Sequence, residues 1–118
     1  MRDVAILGAG ELGGCVAHVL AKHDVATRIR LIEPARPGDT ARGTDPGRVA
    51  EGKALDIRQA SAVEGFATTV VGTADLTYAA GAAVLVLADA VDGDWTADQA
   101  LALLRQTRFT GGDPFIVC

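Results

Sequence analysis

Short continuous apolar runs alternate along this chain with stretches in which apolar residues recur every three or four positions. Val4-Ala5-Ile6-Leu7 runs unbroken into Gly8, which predicts a strand buried on both faces and hence a parallel sheet. Leu12, Val16, Val19 and Leu20 then recur at helical spacing, predicting an amphipathic helix that ends near His23 and Asp24. Arg28 to Ile32 reads as a second strand closed by Glu33-Pro34. Strand, helix and strand within about thirty residues is the size of one βαβ unit.

From Pro34 to Gly47 the apolar periodicity stops and Pro, Gly, Asp, Thr and Arg dominate, which predicts a long, mobile loop. Asp45-Pro46 then supplies a cap and a first-turn proline for a helix reaching about Ala62, with Val49, Ala54, Leu55 and Ile57 as its apolar positions. Thr68 to Gly72 and Ala82 to Ala88 read as the third and fourth strands. Thr96 caps a last helix with a stripe of Ala97, Ala100, Leu101 and Leu104, and Phe115 to Cys118 is a short fifth strand after Gly111-Gly112-Asp113-Pro114. Alternating strands and helices define an α/β fold, a doubly wound parallel sheet. The 118 residues suffice for one domain, 1–118.

Composition adjusts this picture in three ways. Apolar residues at 49% and charged ones at 22% are ordinary for a folded globular chain and exclude wholesale disorder. Eleven basic against fifteen acidic residues leave a net charge of -4, which argues against nucleic acid or an anionic membrane as partner. The basic residues are also unevenly spread: Gln59 to Leu104 contains neither Lys nor Arg, while Glu64, Asp75, Asp89, Asp92, Asp94 and Asp98 are acidic. Cys15 and Cys118 are far apart and lack a CxxC or histidine partner, so neither a zinc site nor a disulfide framework is signalled. With no signal-peptide pattern at Met1, a cytoplasmic chain is expected.

The chemistry is concentrated in the first turn. Gly8-Ala9-Gly10-Glu11-Leu12-Gly13 is G-x-G-x-x-G, placed between a predicted strand and a predicted helix, and Glu33 ends the next strand about 20 residues on, the context of a dinucleotide fingerprint. Gly8 permits the tight turn, Gly10 lets the backbone approach a pyrophosphate, and Gly13 lets the helix pack on the sheet. Unpaired N–H groups near Glu11 and Leu12 face the phosphate oxygens. Glu33 would accept from the adenosine ribose and repel a 2′-phosphate, favouring NAD over NADP, a preference that Arg36 and Arg42 temper. The alternative is a glycine turn that serves only strand-to-helix packing in a domain that binds nothing.

Longer motifs now narrow the reading. VAILGAGELGG (Val4 to Gly14), Leu31-Ile32-Glu33, EGKALDI (Glu51 to Ile57), QASAVEGF (Gln59 to Phe66) and Val71-Gly72-Thr73-Ala74-Asp75 resemble the N-terminal half of the lactate/malate dehydrogenase family, its malate dehydrogenase branch above all. The likeness runs from about Val4 to Ala90. It implies an NAD-binding Rossmann domain with strand order 3-2-1-4-5, and a homodimer contact through the Gly52-Ala62 helix. It also implies an alanine-glycine pair against the cofactor after the fourth strand, with Ala88 and Asp89 near the ligand here, and then a loop with two arginines that act on the substrate.

This chain departs from the pattern at that point. Leu87 to Asp98 offers no glycine in the cofactor-facing pair and no arginine, and Asp89, Asp92 and Asp98 reverse the sign of the field, so a carboxylate here repels a pyrophosphate or an acidic substrate. The family's catalytic histidine and its aspartate partner have no counterpart, and His18 and His23 do not match them. Cys15 is expected to pack on the first helix, Cys118 to be a plain strand-end thiol, and Lys53 and Asp56 to form a surface pair. The acidic residues around Asp94 fit a solvated loop and helix start better than a metal site. The expected function is an NAD(H)-binding module of oxidoreductase type, not catalytic alone. Two alternatives stand beside it: a cofactor-free interaction or regulatory protein on the same scaffold, or a dehydrogenase half-site completed by another chain.

Overall fold

The computed structural model describes residues 3–36, 39–43, 45–91, 95–109 and 114–118, without the side chains of residues 40, 42, 108 and 109. Asp92, Asp94 and residues 111–113, singled out above, lie outside the described residues. Five parallel strands form one sheet in the order β3-β2-β1-β4-β5, the order expected: β1 Asp3–Leu7, β2 Arg28–Ile32, β3 Thr69–Thr73, β4 Val84–Leu87 and β5 Phe115–Val117. The helices are α1 Glu11–Lys22, α2 Asp39–Arg42, α3 Pro46–Glu64 and α4 Ala97–Phe109, with a 3-10 turn at Leu76–Ala79. The α2 turn corrects the reading of 34–47 as wholly irregular.

Alternation along each strand splits the core into two layers. Val4, Ile6, Ile29, Leu31 and Val70 point to one face, where Ala17 and Ala21 of α1 and Ala50 and Ala54 of α3 close over them. Ala5, Leu7, Ile32 and Leu85 point to the other, against Ala79, Ala82 and Leu103. The helix faces differ from those read in the sequence. On α1 the buried residues are Gly13, Ala17 and Ala21, whereas Leu12 and Val19 are exposed and Cys15, expected to pack, is exposed as well. On α3 Ala50, Ala54 and Ile57 are buried and Leu55 is exposed. On α4 Leu103 is buried while Leu101 and Ala97 are exposed. Small residues win the contact faces because a helix can then lie close on the sheet, and backbone approach substitutes for side-chain bulk.

Helix ends follow the predicted chemistry. The Asp45 side chain accepts from the Arg48 N–H at 3.3 Å and Pro46 opens α3, while Gly65 closes it in the left-handed region at φ 77°. Thr96 and Gln99 form a reciprocal box ahead of α4: the Gln99 N–H donates to Thr96 Oγ1 at 3.2 Å and the Thr96 N–H to Gln99 Oε1 at 3.0 Å.

Candidate functional site

Register brings the candidate residues to one edge of the sheet. Leu7 lies beside both Ile32 and Leu87, so the next residues, Gly8, Glu33 and Ala88, emerge together at the carboxyl ends of β1, β2 and β4. The Gly8 N–H extends the ladder to the Ile32 carbonyl at 2.7 Å, and the Ala88 N–H to that of Leu7 at 2.8 Å. Chain order reverses between β1 and β4, and in open α/β sheets the ligand crevice lies outside the strand ends at such a point.

The glycines are there because backbone crosses backbone. Gly8 has φ +111°, and a Cβ on it would overlap the Asp89 carbonyl; a Cβ on Gly13 would overlap the Gly8 carbonyl. Gly10 is the N-cap of α1 and supplies no side chain to the helix start. The N–H groups of the first turn therefore need an acceptor from elsewhere.

Asp89 supplies it from the end of β4. Its Oδ2 accepts from the Leu12 N–H at 3.0 Å and its Oδ1 from the Gly13 N–H at 2.8 Å, a cap delivered from 77 residues away. A Cβ on Gly10 would overlap this carboxylate, so the close approach that the sequence motif reserves for a ligand is made here by Asp89. Burial pushes the Asp89 carboxyl up, yet the N–H groups of Gly13, Leu12 and Asp89 itself, with the Lys53 ammonium, hold it below its ordinary value.

Glu33 is buried, at 1% exposure. Its Oε1 accepts from the Ala9 N–H at 2.7 Å and the Val91 N–H at 3.3 Å. Burial raises its carboxyl above the ordinary value and outweighs those two N–H groups and the Arg36 guanidinium; Asp39 adds to the rise. A raised folded-state pKa means that the stability Glu33 contributes is full below about pH 4 and is lost as pH rises through the folded value. Glu33→Gln, which keeps a neutral acceptor at every pH, should therefore gain melting temperature on the wild type between pH 4 and pH 8. A difference that stays flat or shrinks over that range would contradict the sign.

Two features escaped the sequence reading. Lys53 does not pair with Asp56; its Nζ crosses from α3 to the Ala9 carbonyl at 2.6 Å and pins the glycine turn from outside. Nothing in GKALD predicts that target, because it depends on how α3 lies against α1. The second is a cavity of about 200 Å³ between the end of β2 and α4, lined by Pro34, Ala35, Arg36, Trp95, Gln99 and Leu103 among others. The Arg36 guanidinium stacks over the Trp95 ring, 5.4 Å from its centroid, and the Trp95 indole N–H donates to the Ala88 carbonyl at 3.0 Å. Glu11 is exposed on the other side of the turn. No group of three or more His, Cys, Asp or Glu placed to hold a metal occurs among the described residues.

A parallel sheet in this order, with a glycine turn at the point where it reverses and an acid at the end of β2, defines a Rossmann-type domain. Comparison with known proteins gives that class its relatives. The chain is 36% identical over 92 residues to a malate dehydrogenase from Bacteroides thetaiotaomicron, covering 77% of this chain and 26% of that one. Its fold matches malate dehydrogenase from Salinibacter ruber with TM-score 0.72 and 25% identity, over 97% of this chain and 35% of the other. It also matches lactate dehydrogenase from Cryptosporidium parvum, in a structure complexed with lactic acid and nicotinamide adenine dinucleotide, with TM-score 0.62 and 24% identity over 89% and 30%. No family model matches the chain. The chain is thus a relative of the malate and lactate dehydrogenases and corresponds to their Rossmann domain, spanning 19 to 26% of the length of the curated malate dehydrogenases it matches first.

Proposed function

We propose that the chain is an NAD(H)-binding domain of malate/lactate dehydrogenase type, with no dehydrogenase turnover of its own. One observation carries this reading: the glycine turn from Gly8 to Gly13, the Glu33 carboxylate and the Trp95-lined cavity open at the same sheet edge, beside the point where strand order reverses. The adenosine half of the cofactor fits the cavity between β2 and α4. Glu33 immediately precedes Pro34 of the cavity lining, and a carboxylate beside a 2′-phosphate would favour NAD over NADP. The absence of Lys and Arg between Arg58 and Arg105 supports the lack of turnover, because a carboxylate substrate would find no fixed cation in the segment between β4 and α4. A homodimer through the Gly52-Ala62 helix belongs to the same reading, supported by the exposed Leu12, Val19 and Leu55 on α1 and α3. So does a cytoplasmic setting; no described helix is long and apolar enough to cross a membrane.

Titration with NAD, followed by calorimetry and by the fluorescence of Trp95, the single tryptophan, is expected to show saturable binding with Kd below about 1 mM. Glu33→Ala should weaken it about tenfold, the effect of losing a hydrogen bond to a charged group. A purified chain that gives no saturable signal at millimolar NAD would end this reading.

A further inference from the structure

The two halves of the cleft ask for different ligands. Between the end of β2 and α4 there is open volume with an aromatic wall and a guanidinium, which suits a nucleoside. At the turn, the two N–H groups that would meet phosphate oxygens are already held by both oxygens of one carboxylate. Resting on the cofactor reading above, we propose that Asp89 is a tethered competitor of the diphosphate, so that the cleft binds the nucleoside part of its ligand while the phosphates add nothing to affinity.

The geometry allows one anion at this turn. Leu12 and Gly13 donate to Oδ2 and Oδ1 respectively, and Gly10 approaches the same carboxylate so closely that even a methyl group would overlap it. A second anion beside the first would be repelled, and the helix start has its charge satisfied once. The nearest cation, Lys53, is committed to the Ala9 carbonyl and already faces Asp89; the chain from Gln59 to Leu104 supplies no other. A diphosphate entering here must expel Asp89 and then regains only the N–H groups it freed. The competitor is part of the chain, so its effective concentration is fixed and exceeds that of any free ligand at micromolar level.

The test is calorimetric titration of the full chain, Asp89→Gly and Asp89→Asn with NAD and, separately, with adenosine. For the wild type the two affinities are expected to lie within about threefold of each other. In Asp89→Gly the preference for NAD over adenosine should rise on the order of ten- to a hundredfold, the worth of charge-assisted hydrogen bonds returned to the diphosphate. Asp89→Asn, whose amide oxygen remains a weak neutral cap, should show a smaller rise and serves if the glycine variant does not fold. An NAD preference that is the same in the wild type and both variants overturns the inference and leaves the cofactor reading intact. Failure of every folded variant to bind either ligand overturns the cofactor reading, and the inference with it.

Discussion

Gly13→Ala is expected to cost roughly 3 kcal/mol of stability, at or above the upper end for an overpacked site, and Gly72→Ala as much. In an exposed helix alanine would gain about 1 kcal/mol over glycine, so the sign has to come from the surroundings. At Gly13 a Cβ would overlap the Gly8 carbonyl, and at Gly72 of β3 it would overlap the Ala50 carbonyl of α3. Both obstacles are backbone, which cannot rotate away as the tip of a side chain can. Relief would require α1 or α3 to lift off the sheet, opening the layer built on Ala17, Ala21, Ala50 and Ala54. Gly52→Ala is the internal control: it lies on α3 with nothing within 4 Å of its added carbon, and should be neutral or stabilising by up to about 1 kcal/mol. Urea unfolding of the three variants decides the matter, and losses below about 1 kcal/mol at Gly13 and Gly72 would show that the helices have slack.

Ile6→Ala should cost about 3 kcal/mol, within the range for removing a large aliphatic side chain from a packed core. Ile6 sits on the central strand with 0% exposure. Its flanking neighbours in the layer, Leu31 of β2 and Val86 of β4, are fixed in paired strands, and the helices above present Ala17, Ala21, Ala50 and Ala54, so the space is refilled only in part. The cavity therefore persists, and its cost adds to the lost transfer free energy. Ile6→Val, which removes a single methyl, should cost about 1 kcal/mol. Denaturant unfolding with an unchanged slope measures both; equal losses for the two variants would mean that the site collapses.

The strands were legible because short apolar runs bounded by Gly, Pro or Asp have few other uses, and β2 falls at Arg28–Ile32 as predicted; their order followed from the family resemblance and not from the runs. The helix faces were not. Hydrophobic periodicity weights Leu12, Val19, Leu55 and Leu101 by size, but the contact faces are chosen by how near two backbones must come, and that favours the glycines and alanines the pattern passes over. The site shows the same divide. That Asp89 brings the wrong charge to the cofactor-facing position could be read from one letter. That its two oxygens reach Leu12 and Gly13 could not, because the contact joins residues 77 apart in sequence and depends on the register of β4 beside β1.

The pair of acids at the sheet edge has a thermodynamic consequence for the domain's life without ligand. Glue for a phosphate loop is often lent by the phosphate itself, and ligand concentration then enters the folding equilibrium through mass action. Here Glu33 answers the Ala9 N–H and Asp89 answers those of Leu12 and Gly13, so the turn carries its own acceptors. Its order is written into the chain and does not wait on a bound phosphate.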